Sequence, residues 1–159
     1  MITQELVREL FDYCDGVLYW KTSRGKSKAG KVAGKINSKG YHAVGVNKKL
    51  YLAHRLIYLY HHGILPKYID HVDGNKLNNT IENLRECTLA QNSANSKAQK
   101  NNTSGAKGVF WIKRIKSWQV SLSVNGKRKH IGNFKDFELA ELVAIEAREK
   151  YHKDFARHA

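Results

Sequence analysis

Two cysteines, one proline and only 14 acidic residues in a chain of 159 are the scarcities that first constrain this sequence. Cys14 and Cys87 stand far apart, so there is no disulfide framework and no four-thiolate zinc site. Both read as small buried hydrophobes in a protein of a reducing compartment. No apolar run approaches the roughly 20 residues that span a bilayer. Met1-Ile2-Thr3-Gln4-Glu5 opens with neither a basic nor a hydrophobic stretch, so a cytoplasmic protein with no membrane partner is expected.

Acids are scarce in a patterned way. None occurs between Asp15 and Asp70, and none between Glu86 and Asp136. Against them stand 28 Lys and Arg residues, a formal charge of +14 and a pI near 9.8. The two acid-free stretches therefore form two basic surfaces flanking a short acidic island of Asp70, Asp73, Glu82 and Glu86. Such self-repulsion suits a protein that binds a polyanion, with something cationic held at the island, and nucleic acid is the expected partner. A hydrophobic fraction of 42%, with 10% aromatic residues, is too high for a disordered basic tail. The length fits one ordinary domain or two small ones.

Local signals divide the chain. Thr3 caps a helix whose Leu6, Val7, Leu10 and Phe11 recur at helical spacing and which should run to the Asp15-Gly16 turn. Residues 17–20 read as a strand, 21–40 as a mobile basic loop, and Tyr41 to Leu52 as a hairpin. Ala53 to His62 reads as a helix with Ala53, Leu56, Ile57, Leu59 and Tyr60 toward a core. On it His54, Arg55, Tyr58, His61 and His62 fall toward solvent or partner. Gly63 and Pro66 end it. Residues 69–72 form a strand, Asp73-Gly74-Asn75 a turn, and Thr88-Leu89-Ala90-Gln91 a capping box opening another helix. The polar segment 98–104 is the expected linker. Beyond it Val109 to Lys113, Trp118 to Val124 and Lys127 to Phe134 read as three antiparallel strands, the last two joined by an Asn125-Gly126 turn. A helix over Phe137 to Phe155 covers the sheet with Ala140, Val143, Ala147 and Tyr151.

The densest chemistry lies between Asp70 and Asn95. Cleaving a phosphodiester needs a base to activate water, and oxygen ligands for a divalent cation that stabilises charge on the phosphate. His71 suits the base; Asp70 and Asn92 suit Mg²⁺ or Mn²⁺. Neighbours on a regular strand point to opposite faces, so Asp70 and His71 share a site only where the strand ends or bulges. Asn75, Asn78, Asn79 and Asn95 read as turn and cap residues, and His54, His61 and His62 as structural.

Asp70-His71-Val-Asp-Gly-Asn-Lys-Leu-Asn-Asn, Glu82-Asn83-Leu84-Arg85 and Thr88-Leu-Ala-Gln-Asn92-Ser-Ala-Asn95 resemble the HNH homing endonucleases of phages and introns. Gly40-Tyr41 and Ala53-His54-Arg55-Leu56-Ile57 match what precedes the motif, so the resemblance covers about residues 16–97. It implies a ββα-metal site with His71 as general base, Asp70 and Asn92 as ligands of a single weakly held ion, and Asn83 as the asparagine that braces the hairpin and orients the imidazole. It also implies a bacterial or phage-infected host cell as the setting.

Residues 105–155 resemble the ethylene-response-factor (APETALA) DNA-binding domain. Gly108-Val109-Phe110-Trp111, Ser117-Trp118-Gln119-Val120, Gly126-Lys127 and His130-Ile131-Gly132-Asn133-Phe134 carry that likeness. It implies that the sheet enters the major groove of double-stranded DNA. Trp111, Lys113, Arg114, Lys116, Gln119, Arg128 and Lys129 are the candidate contacts there, joined by Lys48, Lys49 and Arg55 from the first module. Trp111 reads equally as a core aromatic, and Trp118 as core.

The expected architecture is α+β: an HNH module over residues 1–97, a linker over 98–104, and a three-stranded sheet packed on one helix over 105–159. The expected function is a metal-dependent, homing-type DNA endonuclease. One metal centre per chain favours a monomer that nicks; a double-strand break needs a dimer or a second binding event. The alternatives are a catalytically inert, sequence-specific DNA-binding regulator and an RNA-binding protein.

Overall fold

The computed structural model describes residues 2–96, 98 and 102–158. The chain divides into two compact units, Met1–Cys87 and Thr88–Ala159. Among the described residues the fold is mixed α/β, with small sheets and four α-helices. No helix among them is long and apolar enough to cross a membrane.

The first unit begins with helix α1, Gln4–Leu10, whose Thr3 hydroxyl accepts the Leu6 N–H. The helix stops at Leu10, short of the Asp15-Gly16 turn that periodicity predicts. Phe11–Cys14 is instead a strand, β1, paired with β2, Val17–Trp20. Phe11 fits the apolar spacing of either element; its cross-strand partner Trp20, with ring centroids 4.7 Å away, settles the matter.

The expected mobile loop over 21–40 is laced to its neighbours. Gly30 N–H donates to the Trp20 carbonyl and Ala33 N–H to the Leu18 carbonyl, each at 2.7 Å, and Ala33 is fully buried. Lys35–Ile36 forms β3 at the edge of β4, His42–Val46. Small residues let this segment lie against the strands, which its polar composition conceals. A two-residue turn at Asn47-Lys48, both with positive φ, leads to β5, Lys49–Leu52.

Helix α2, Ala53–His62, lies at the centre of the unit and ends at Gly63. Leu56 and Ile57 meet Val7, Leu10, Phe11, Leu18 and Val44 in the main core. The side assigned to solvent is partly enclosed: Arg55, His61 and His62 are half-buried or exposed, but His54 and Tyr58 are buried. Helix α2 is covered on several sides, by α1, β2, β4 and β5, so its polar stripe is not a water-facing stripe. Strands β6, Tyr68–His71, and β7, Leu84–Cys87, then form a hairpin across the loop 72–83. Cys87 is buried as expected; Cys14, near the tip of the β1–β2 hairpin, is exposed.

The second unit opens with α3, Leu89–Ala94, and the expected capping box is present in full: Gln91 N–H donates to the Thr88 hydroxyl while the Gln91 side chain accepts the Thr88 N–H. Its other end is closed by Lys107, whose Nζ donates to the carbonyls of Ala94 at 2.8 Å and Ser96 at 2.5 Å. Burial foremost, then the charges of Arg148 and Arg157, pull the Lys107 pKa down to about 8. The division between units thus falls ahead of the segment 98–104, of which residues 99–101 lie outside the described residues.

Strands β8, Val109–Ile112, β9, Ser117–Val124, and β10, Lys127–Phe134, form an antiparallel sheet with β9 central. Asp136 caps α4, Phe137–His152, by accepting the Leu139 N–H at 2.7 Å. A 3₁₀ turn, Lys153–Phe155, replaces the last part of the expected helix. Ala140 and Ala144 bring α4 down onto Val109 and Val120, with Trp118, Phe134 and Phe137 around them.

Candidate active site

Strands β6 and β7 pair in continuous register, Asp70 opposite Arg85 and His71 opposite Leu84. Being neighbours on a regular strand, Asp70 and His71 meet different partners. The Asp70 carboxylate is almost enclosed, and Arg85 donates to its Oδ2 from Nε at 3.1 Å and from Nη2 at 2.9 Å. The His71 ring is 5% exposed, and its Nε2 lies 2.9 Å from Asn79 Oδ1.

Two further rings stand beside it. His54 stands edge-on to it, centroids 5.0 Å apart at 76°, and Tyr41 lies 6.4 Å away. Lys76 Nζ caps the far ring at 4.6 Å from the Tyr41 centroid. Burial above all, then the nearby His71 and Arg55, pulls the His54 pKa down to about 3, so His54 is neutral at physiological pH.

The loop after His71 is a polar knot. Asp73 Oδ1 accepts Asn75 N–H at 2.7 Å and Asn83 Nδ2–H at 2.9 Å, while Asp73 Oδ2 accepts Asn78 Nδ2–H at 2.7 Å. Asn83 Oδ1 accepts Asp73 N–H at 3.0 Å, and Asn83 Nδ2 also donates to the Asn78 carbonyl at 2.7 Å. Asn83 therefore stitches the two ends of the loop, whereas the imidazole itself is held by Asn79. Asn75 and Asn78 act as turn residues; Asn79, read the same way from sequence, is 2% exposed beside the ring. No local signal separates it from its neighbours. His54 had one: its place beside Arg55 in the segment preceding the motif.

Asn92 lies half-buried on α3, in the second unit. Among the described residues no three His, Cys, Asp or Glu side chains gather into a group that could hold a metal. The Asp70 carboxylate is a hard oxygen donor of the kind Mg²⁺ takes, and Arg85 is bonded to it.

The basic candidates are dispersed. Lys48 and Lys49 are exposed at the β4–β5 turn. Arg55 is turned inward, donating to the carbonyls of Lys67 at 3.2 Å and Pro66 at 2.8 Å. Lys113, Arg114 and Lys116 are exposed in the turn between β8 and β9. Register separates the two faces of the sheet. Trp111 pairs with Trp118, rings 4.9 Å apart, on the side that α4 covers, and Lys129 lies 4.2 Å over the ring of Tyr151 on α4. On the other side Gln119 Nε2 donates to His130 Nδ1 at 3.2 Å. There Arg128 lies 4.9 Å over the Phe110 ring and donates from Nε to Ser121 Oγ at 3.0 Å.

Residues 51–94, which include His54, Asp70, His71, Asn79, Asn83 and Asn92, match the HNH endonuclease family. The chain is 42% identical over 99 residues to Protein 3.8 of Escherichia phage T7, covering 60% of this chain and 79% of that protein. The chain belongs to the same family as that phage protein and carries an HNH endonuclease domain. It is also 39% identical over 106 residues to an uncharacterized HNH endonuclease of Acanthamoeba polyphaga mimivirus, covering 65% of this chain and 54% of that one, about half its length. No solved structure matches.

Proposed function

We propose that the protein is a metal-dependent DNA endonuclease of the homing type. In this reading His71 is the general base that takes a proton from the attacking water. Asp70 and Asn92 supply oxygen donors for one divalent ion, Mg²⁺ or Mn²⁺, which when bound stabilises charge on the scissile phosphate and the leaving oxygen. Asn83 holds the β6–β7 loop closed, so that His71 sits at a fixed strand end in a ββα-metal arrangement. The C-terminal sheet, read as ethylene-response-factor-like, grips the target through Gln119 and Arg128 on its open side and Lys113, Arg114 and Lys116 at its turn; Trp111 and Lys129 border the opposite face. Lys48 and Lys49 add phosphate contacts, and Arg55 shapes the 66–67 loop. The observation that carries the proposal is the enclosed, hydrogen-bonded imidazole of His71 within the HNH match.

The test is cleavage of supercoiled plasmid DNA by the purified protein. Cutting is expected with Mg²⁺ or Mn²⁺ and not with EDTA, and His71→Ala should bind DNA without cutting it, a loss of about 10²- to 10⁴-fold for a missing base. A His71→Ala variant that cuts like wild type would sink the mechanism. The second reading, an inert DNA-binding regulator, draws on Arg85, whose guanidinium already sits on the Asp70 carboxylate. It requires that no divalent ion support cleavage.

A further inference from the structure

We propose that a cavity within the second unit binds a phosphate monoester, held between Lys107 and Arg148 while His152 accepts the hydrogen of its P–OH group. The cavity measures about 570 Å³ and is walled by α3, the β8–β9 edge and α4, a size usual for small-ligand sites. Its described lining brings together Lys107, Arg128, Arg148 and His152 and contains no carboxylate. Phe110, 39% exposed, is also in the wall and offers a ring face to a nucleoside base.

The charges in that wall lack a counterion. Arg148 is 3% exposed, and a charge so enclosed costs stability unless it is paired. Its Nε donates to His158 Nδ1 at 3.4 Å and its Nη1 to the Lys107 carbonyl, both neutral acceptors. Lys107 Nζ donates to two further carbonyls, which leaves one of the three ammonium N–H groups for the cavity. Among the described residues neither cation has an ion-pair partner; Glu149, next to Arg148 in the chain, lies 3.7 Å from His158. Burial and the repulsion from Arg148 are what lower the Lys107 pKa, and an anion between the two relieves both. His152 follows Arg148 by one turn on the same face of α4. Its Nε2 donates to the Ser123 carbonyl at 2.9 Å, and its buried Nδ1 meets no hydrogen-bond partner among the described residues. That lone pair calls for a donor. A phosphate monoester, with a second pKa near 6, is an anion that also carries a P–OH; a diester or a carboxylate is not.

The test is a titration of the labelled full chain, followed by amide NMR in EDTA at about pH 6 and constant ionic strength. Inorganic phosphate and thymidine monophosphate should each move the signals of Gly108 and Ser123 saturably, and dimethyl phosphate should not. A short duplex with terminal phosphates that binds this site more tightly than its hydroxyl-ended twin would identify a strand end as the source. Equal binding of the two duplexes beside saturable thymidine monophosphate would identify a free nucleotide; either result supports the site. Arg148→Met should weaken phosphate binding about 10-fold, Arg148→Lys should restore most of it, and His152→Phe should weaken it about 3- to 10-fold. Should Arg148→Met fail to fold, the wild-type contrast between phosphate and dimethyl phosphate still decides. Shifts that never saturate, dimethyl phosphate binding as well as phosphate, or undiminished affinity in a folded Arg148→Met would each overturn the proposal. None of these readings requires that the chain cut DNA, so the site and the nuclease reading stand or fall separately.

Discussion

Gly16 offers a perturbation whose size can be worked out and matched with an internal control. Its φ is +81°, and Gly25 has a φ of +59°. An alanine at either position bears the left-handed backbone cost of about 1–2 kcal/mol, offset by about 0.4–1 kcal/mol from a stiffer unfolded chain. At Gly25 nothing lies within 4 Å of the added Cβ, whereas at Gly16 it meets Thr80 N at 2.7 Å and the Asn79 carbonyl carbon at 2.8 Å. Both are main-chain atoms, which cannot swing aside as a side chain can. Relieving the contact means moving the β1–β2 turn or the 79–80 peptide by some tenths of an ångström, an overpacking cost of about 1–3 kcal/mol. In a unit of residues 1–87, each kcal/mol lowers the melting temperature by about 4–8 °C. Gly16→Ala should therefore melt some 5–20 °C below Gly25→Ala in scanning calorimetry. Cleavage should fall in Gly16→Ala below the level that its folded fraction explains, because the displaced peptide carries Asn79. Equal melting temperatures for the two variants would refute the reasoning.

Three further outcomes follow from the same structure. The folded chain keeps His54 neutral down to about pH 3, whereas the unfolded chain protonates it near 6.5. Stability is therefore greatest above 6.5 and falls as the pH drops below it, by up to about 1.4 kcal/mol per pH unit; urea midpoints taken from about pH 7 to pH 5 should show this slope, reduced in His54→Phe. DNA affinity should fall with salt at a log–log slope near −7 if about 8 phosphates are contacted, and Arg128→Ala should cost about 1–3 kcal/mol and relax base preference at one position. A shallow slope would remove one of the two basic surfaces from the interface.

Much of the fold was legible because its signals are local. Thr3, the Thr88/Gln91 box, Gly63 and the Asn125-Gly126 turn each act within four residues, and each sits where the sequence placed it. What was not legible depends on distant partners. Phe11–Cys14 satisfies a helical period until Trp20 pairs with it. His54 falls on the polar stripe of α2, but the surface facing that stripe is the His71 ring and Tyr41 rather than water. The 21–40 segment has the composition of a loose loop, yet Ala33 drops into the core beside Leu18. The site shows the same split. Asp70, His71, Asn83 and Asn92 are singled out by the likeness to the HNH family, while Asn79 is one of several asparagines in a turn until the β1–β2 hairpin encloses it.

The hydrogen bonds from Lys107 to Ala94 and Ser96 bear on how such proteins are put together. The HNH match ends at residue 94, and the side chain that closes its last helix is supplied from beyond that end. A helix of six residues has little stability of its own, so a borrowed closing group is a material part of it. Exchanging the C-terminal domain as a cassette would then exchange part of the nuclease with it. A graft with no lysine at this place would inherit a frayed α3, and with it a loosened Asn92. Hybrids joined within 98–104 should fare best when the incoming segment carries its own equivalent of Lys107.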